Sequence, residues 1–144
     1  YKIYGYEIQD YSFTIDSLVS YYKANMDILS SDVRSDVFRR ERPIYTKVKD
    51  DMPAKYGLGS SVKNSLIADG CIIDGEVENS VLFRGVRVEK GAKIKNSIVM
   101  QSSFIGENVT LNCVILDKEV VIKPDVALSG APTFPIYIKK ASII

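Results

Sequence analysis

The sequence of 144 residues has no histidine, no tryptophan and only two cysteines, and no apolar stretch in it approaches the ~20 residues that a membrane-spanning helix requires. The missing histidines exclude His-dependent general bases, Ser-His-Asp triads and His-metal sites together. Zinc needs about four ligands, and two cysteines without histidine do not supply them. Cys71 and Cys113 each sit inside an apolar run, which reads as a small buried hydrophobe in a reducing compartment. An excess of one charge is missing too: 19 Lys and Arg against 18 Asp and Glu give a net charge of +1. No global field therefore draws in nucleic acid or an anionic membrane. The opening Tyr1-Lys2-Ile3-Tyr4 is neither a signal peptide nor an initiator methionine. It reads as a start inside a longer chain, and a cytoplasmic location is expected.

What is present is a repeat. The tetrad Asn-Ser/Cys-aliphatic-aliphatic occurs at Asn64-Ser65-Leu66-Ile67, Asn79-Ser80-Val81-Leu82, Asn96-Ser97-Ile98-Val99 and Asn112-Cys113-Val114-Ile115, with starts 15, 17 and 16 residues apart. A second element keeps step with it: an aliphatic residue, three mostly polar or Gly residues, then a small aliphatic. Its copies run from Ile73 to Val77, Val88 to Ala92, Ile105 to Val109 and Ile122 to Val126, with a fifth expected from Ile138 to Ser142. A β-sandwich is the competing architecture, but it favours long alternating strands joined by dipeptides such as Asn-Gly, and none occurs.

The repeat predicts a mainly β chain: a parallel β-helix of hexapeptide-type coils over 62–144. Short strands form the flat walls of a three-sided prism, with one aliphatic side chain per wall pointing inward. Coils stack by main-chain hydrogen bonds at about 4.8 Å, and no coil buries its apolar face alone. Asparagine tolerates the left-handed backbone of tight corners. Asn64, Asn79, Asn96 and Asn112 are therefore expected to be structural and to stack as a corner ladder. Gly75, Gly91 and Gly106 read as turn residues; none belongs to a phosphate loop leading into a helix.

Ahead of the repeat the period changes. Residues 1–8 alternate loosely, as one strand would. Ile15, Leu18, Val19, Tyr22, Met26 and Leu29 make the stripe of an amphipathic helix, with Thr14 or Asp16 as its cap and Ser30-Ser31-Asp32 as its end. Residues 1–30 are read as this strand and helix, and 31–61 as a linker with a short helix over Ser31–Phe38. Arg39, Arg40 and Arg42 form a local basic cluster. Most such runs are solvated, but arginines also suit bidentate contacts to a phosphorylated effector.

Three segments then look familiar. The helix bearing Tyr21-Tyr22-Lys23-Ala24-Asn25-Met26-Asp27, the run Arg42-Pro43-Ile44-Tyr45-Thr46, and Met52-Pro53-Ala54-Lys55-Tyr56 lead into coils that begin Asn-Ser-Leu-Ile. Together they resemble the C-terminal part of the ADP-glucose pyrophosphorylase (glucose-1-phosphate adenylyltransferase) family, over nearly the whole chain. The likeness is greatest to the bacterial D-type subunit of glycogen biosynthesis, which accompanies a catalytic partner. The resemblance implies that the prism winds left-handed and that the first residues are the end of a nucleotidyltransferase domain. It implies a partnership with a catalytic pyrophosphorylase subunit in a homo- or hetero-oligomer, and a sugar-phosphate effector.

Complete family enzymes join ATP and glucose 1-phosphate with magnesium, using a Gly-rich nucleotide loop that has no counterpart in these 144 residues. No cofactor is expected here. The family's last active-site element, Trp-x-Asp-Ile/Val-Gly-Thr, aligns with Ser12-Phe13-Thr14-Ile15-Asp16-Ser17. Thr14 stands where the metal-facing carboxylate belongs, and a neutral hydroxyl does not balance Mg²⁺. The expected role is therefore assembly and allosteric regulation without catalysis. Hexapeptide acyltransferases share the coil but typically use a histidine base. Another sugar-phosphate nucleotidyltransferase remains an open alternative, because the coil does not identify the sugar.

Overall fold

The computed structural model describes residues 1–144. Residues 55–138 form three five-stranded sheets, each wholly parallel. The first wall comprises Lys55–Tyr56, Ile72–Ile73, Arg87–Val88, Phe104–Ile105 and Val121–Ile122. The second comprises Ser61–Lys63, Glu76–Glu78, Lys93–Lys95, Thr110–Asn112 and Ala127–Ser129. The third comprises Leu66–Ile67, Val81–Leu82, Ile98–Val99, Val114–Leu116 and Ile136–Ile138. The chain visits the walls in rotation, so each coil's strands pair only with the coils above and below. This is the expected parallel β-helix, and its core is a stack of three columns. Ile73, Val88, Ile105 and Ile122 line the first wall's inside; Val77, Ile94 and Leu111 the second's; Leu82, Val99 and Leu116 the third's.

The registers give a constant coil with two exceptions. Tyr56 to Ile73, Val88 to Ile105 and Ile105 to Ile122 are each 17 residues. Ile73 to Val88 is 15. The two missing residues come from the corner after Ile73, where the inward position of the second wall arrives four residues later, at Val77, instead of six as from Val88 to Ile94. Gly75 occupies that shortened corner. A Cβ there would lie 2.5 Å from the Ala92 carbonyl oxygen. Further on, Leu116 pairs with Ile138, 22 residues later, because a five-residue insertion bulges between the second and third walls. Ala131 and Phe134 pair across this bulge in an antiparallel bridge.

These irregularities correct four readings of the repeat. Val77 stacks on Ile94 and not on Ala92, so the first copy of the second element was offset by two. Ile138 pairs with Leu116 in the third wall; the first wall's last rung is Ile143, bridged to Val121, so no fifth copy starts at Ile138. Lys55–Tyr56 already pairs with Ile72–Ile73, which starts the solenoid at residue 55 and shortens the linker. The fourth concerns the asparagines. Left-handed backbone occurs at Asn64, Asn79 and Asn96, with φ of 43°, 47° and 47°, and the next rung is Cys113, φ 53°, one residue past Asn112. Asn112 is the last residue of a second-wall strand. The third-wall spacing from Val99 to Leu116 is accordingly 17, and the apparent spacing of 16 came from aligning Asn112 with Asn96.

Behind the asparagines runs a serine ladder. Ser65, Ser80 and Ser97 each accept a hydrogen bond from the backbone N–H of the next coil, at 3.1 Å, from Ser80, Ser97 and Val114 in turn. Each hydroxyl donates to the carbonyl two residues back, at Lys63, Glu78 and Lys95. Ser80 and Ser97 have no exposed surface, so the ladder satisfies N–H groups that water cannot reach. Ser97→Ala is expected to leave the Val114 N–H buried and unpaired, costing about 1–3 kcal/mol. A denaturant titration that places the variant within about 0.5 kcal/mol of the parent would show that the ladder is dispensable.

The N-terminal segment departs from expectation in two ways. Residues 1–8 pair with no strand and are exposed. The helix α1 (Leu18–Asp27) is capped by Ser17, not by Thr14 or Asp16. Ser17 accepts from the Ser20 N–H at 3.1 Å, and the Ser20 hydroxyl accepts from the N–H groups of Asp16 and Ser17, a reciprocal capping box. A second helix, α2 (Ser31–Val37), follows as expected. Only part of the apolar stripe is buried. Tyr22 packs on Ile98, Cys113 and Ile115, with Tyr21, Met26, Phe83 and Met100 around it. Ile15, Leu18 and Val19 stay exposed. The helix thus covers the outer side of the third wall and not an open end of the prism.

Candidate functional site

Docking of α1 on the third wall rests on one polar anchor. The Tyr22 hydroxyl donates to the Asn96 carbonyl at 2.7 Å, beside the Cys113 sulfur at 3.6 Å. Burial, and then the neighbouring thiol, push the Tyr22 hydroxyl's pKa far above its ordinary value. Between α1, the asparagine corner and the inserted bulge lies a groove of about 770 Å³. Val19, Met26 and Leu29 form one side, Pro132 and Thr133 the other, and Asn64, Asn79 and Asn96 the floor. Lys23 is its one charged lining residue. The floor amides are joined in part: Asn64 Nδ2 donates to Asn79 at 2.7 Å, and Asn96 Nδ2 to Asn112 at 3.0 Å. Asn112 itself lies outside the groove and donates on to Ser129 at 3.4 Å. Sequence reasoning placed the asparagines at a corner but missed the groove, because its other sides come from a helix and a bulge that the repeat does not encode.

The arginines sit elsewhere. Arg39 and Arg42 each hold an oxygen of Asp10 at 2.7 Å, and Arg39 also pairs with Asp36. The Arg42 hydrogen bond is the main reason why the Asp10 carboxyl lies below its ordinary range. The Tyr11 N–H donates to Asp36 as well, so the cluster ties residues 10–11 to the end of α2. Arg40 is exposed and makes no ion pair. The three side chains therefore do not converge on one anion site: two are neutralised by carboxylates and one faces solvent. Arg34, unremarked in the sequence, caps the end of α1 by donating to the carbonyls of Ile28 and Leu29 at 3.0 and 2.7 Å.

Magnesium does not fit these residues. Thr14 is a neutral, exposed side chain, Asp16 is exposed just ahead of the Ser17 cap, and no group of three or more Asp, Glu, Cys or His could hold a metal ion. Both cysteines are buried, and burial raises the Cys71 thiol, whose sulfur donates to the Phe83 carbonyl at 3.1 Å. That is the environment of an inert thiol. No helix is long and apolar enough to cross a membrane.

Comparison with known proteins gives these features a family. The model of the GlmU-like, C-terminal hexapeptide family matches residues 51–131. The glycogen biosynthesis protein GlgD of Bacillus subtilis (strain 168) is 46% identical over 138 residues, 96% of this chain and 40% of the relative. The GlgD of Geobacillus stearothermophilus is 54% identical over 71 residues, 49% of this chain and 21% of the relative. A glucose-1-phosphate adenylyltransferase of Acetivibrio thermocellus is 37% identical over 139 residues, 96% of this chain and 32% of the relative. The chain thus spans at most 40% of the length of these relatives. The resemblance to the ADP-glucose pyrophosphorylase family holds, and the hexapeptide match fits a left-handed winding. With its three parallel walls, its 17-residue coils and a family match over more than half its length, the chain belongs to the GlmU-like C-terminal hexapeptide family.

Proposed function

We propose that the chain is the C-terminal assembly and regulatory part of a glucose-1-phosphate adenylyltransferase-type subunit of glycogen biosynthesis, without catalysis of its own. The observation behind this reading is the 46% identity to a GlgD protein across 96% of the chain. The geometry supports the assembly role: the solenoid offers long rigid walls of the kind that bind neighbouring subunits. The partner is a catalytic pyrophosphorylase subunit, in the cytoplasm. ATP and magnesium bind only in complete catalytic members. A sugar-phosphate effector is taken up at this basic segment by Arg40, which is free, and by Arg42, which must exchange Asp10 for phosphate; Arg39 stays held by Asp10 and Asp36.

The test is ADP-glucose formation by the complete subunit, alone and mixed with a catalytic partner, across a series of sugar phosphates. No turnover alone and an altered effector response in the mixture are expected. Arg40→Ala combined with Arg42→Ala should shift the half-saturating effector concentration by about tenfold, the effect of losing about 1.4 kcal/mol of charge-assisted bonding. Rapid turnover by the subunit alone would overturn the regulatory reading, and an unshifted effector curve would overturn the arginine assignment.

A further inference from the structure

The second wall is flat and solvent-facing, and its charges come in bands. Its outward positions are Ser61 and Lys63 in the first row, Glu76 and Glu78 in the second, Lys93 and Lys95 in the third. Rows four and five, with Thr110, Asn112, Ala127 and Ser129, carry no charge. The strand register puts Glu76 beside Lys93 and Glu78 beside Lys95. Of these side chains only Lys95 and Glu78 close an ion pair within the chain, at 3.0 Å. Lys63, Glu76 and Lys93 form none, so most of the band's charge is unpaired.

The order of the bands makes this wall complementary to itself. Take a half-turn about an axis parallel to the strands, midway between rows two and three. It lays the glutamate row of one copy on the lysine row of the other, and the reverse. Glu76 then meets Lys93 and Glu78 meets Lys95 in both directions, while Lys63 falls on the neutral row of Thr110 and Asn112. A half-turn about an axis in the interface parallel to the solenoid axis instead sets each row on itself, carboxylate on carboxylate, which like-charge repulsion rejects. The other walls lack this property. The third carries α1, and the first mixes Ile72, Arg87, Phe104 and Val121 in no order that a two-fold axis matches.

We propose that two copies of the chain associate through their second walls, antiparallel, with the glutamate and lysine rows interleaved. Four overlapping rows at ~4.8 Å cover about 300 Å² per copy, well below the ~800 Å² per partner of a stable interface. The contact is therefore weak, charge-driven and sensitive to salt. It does not depend on the proposed regulatory role: a chain that affected no enzyme would still pair this way.

Sedimentation velocity on the 144-residue chain tests it. At low salt the weight-average mass should rise towards a dimer between about 10 μM and about 1 mM protein, the range of a weak complex. It should return to a monomer near 0.5 M NaCl, where the screening length is about 4 Å. Lys93→Glu with Lys95→Glu should abolish association, and so should Glu76→Lys with Glu78→Lys. An equal mixture of these two variants should associate again, since each glutamate row then faces a lysine row; this restoration also shows that both variants fold. A parent chain that stays monomeric at about 1 mM in low salt, a dimer that survives both reversals, or a mixture that fails to associate would each overturn the proposal.

Discussion

Ile105→Asp is expected to cost about 5 kcal/mol or more, comparable to the whole stability of many domains of this size. Ile105 has no exposed surface and stacks between Val88 and Ile122 in the first wall's inner column. A carboxylate there has only aliphatic neighbours above and below, and no cation or N–H is free to receive it. The carboxyl must either ionise without solvent or take up a proton, and both oppose folding. The damage spreads along the axis because each coil is held by its two neighbours. Circular dichroism should show the sheet signal lost at room temperature, or a melting temperature lower by at least about 15 °C. Thr110→Asp, on an outward position of the next strand, is the control and should stay within about 0.5 kcal/mol. An Ile105→Asp variant that melts with the parent would mean that the inner column is not packed as described.

The second large effect is expected at the shortened corner. In Gly75→Val the new Cβ would sit 2.5 Å from the Ala92 carbonyl oxygen and 2.9 Å from that of Glu89. Both obstacles are backbone. The Ala92 oxygen already accepts the coil-to-coil bond from the Glu76 N–H at 2.8 Å, so it cannot retreat without breaking the stack. A loss of about 3 kcal/mol is expected, seen as a drop of roughly 10 °C in melting temperature. Gly59→Ala is the matched control: a Cβ at Gly59 meets nothing within 4 Å, and the change should be neutral or slightly stabilising. Equal melting of the Gly75 and Gly59 variants would show that the corner relaxes freely.

The fold was legible because inward aliphatics recur at a period set by the coil itself, and two of the three columns could be followed by eye. The errors have local causes. Left-handed corners favour asparagine, so Asn112 attracted an alignment that belongs to its neighbour Cys113, a residue that rarely adopts such backbone. The second-wall column of Val62, Val77, Ile94, Leu111 and Leu128 was missed because each member sits between polar outward residues whose identities change from row to row. The helix stripe was found, but periodicity does not say how much of a face is covered. The third wall takes Tyr22 and leaves Leu18 and Val19 bare. At the arginines, a sequence shows three cations; that Asp10, some thirty residues upstream, neutralises two of them is a tertiary fact.

The two departures from the 17-residue coil both fall at corners. Two residues are lost at one corner and five are gained at another, while every wall strand keeps its register. Strands in a wall are clamped along their whole length by main-chain bonds to both neighbours, whereas a corner is tied to the next coil at only one or two points. Insertions and deletions accumulated during the family's divergence should therefore fall at corners. An alignment of its members anchored on the inner columns would have gap-free wall segments, and the lengths of the pieces between them would record which corners each lineage has remodelled.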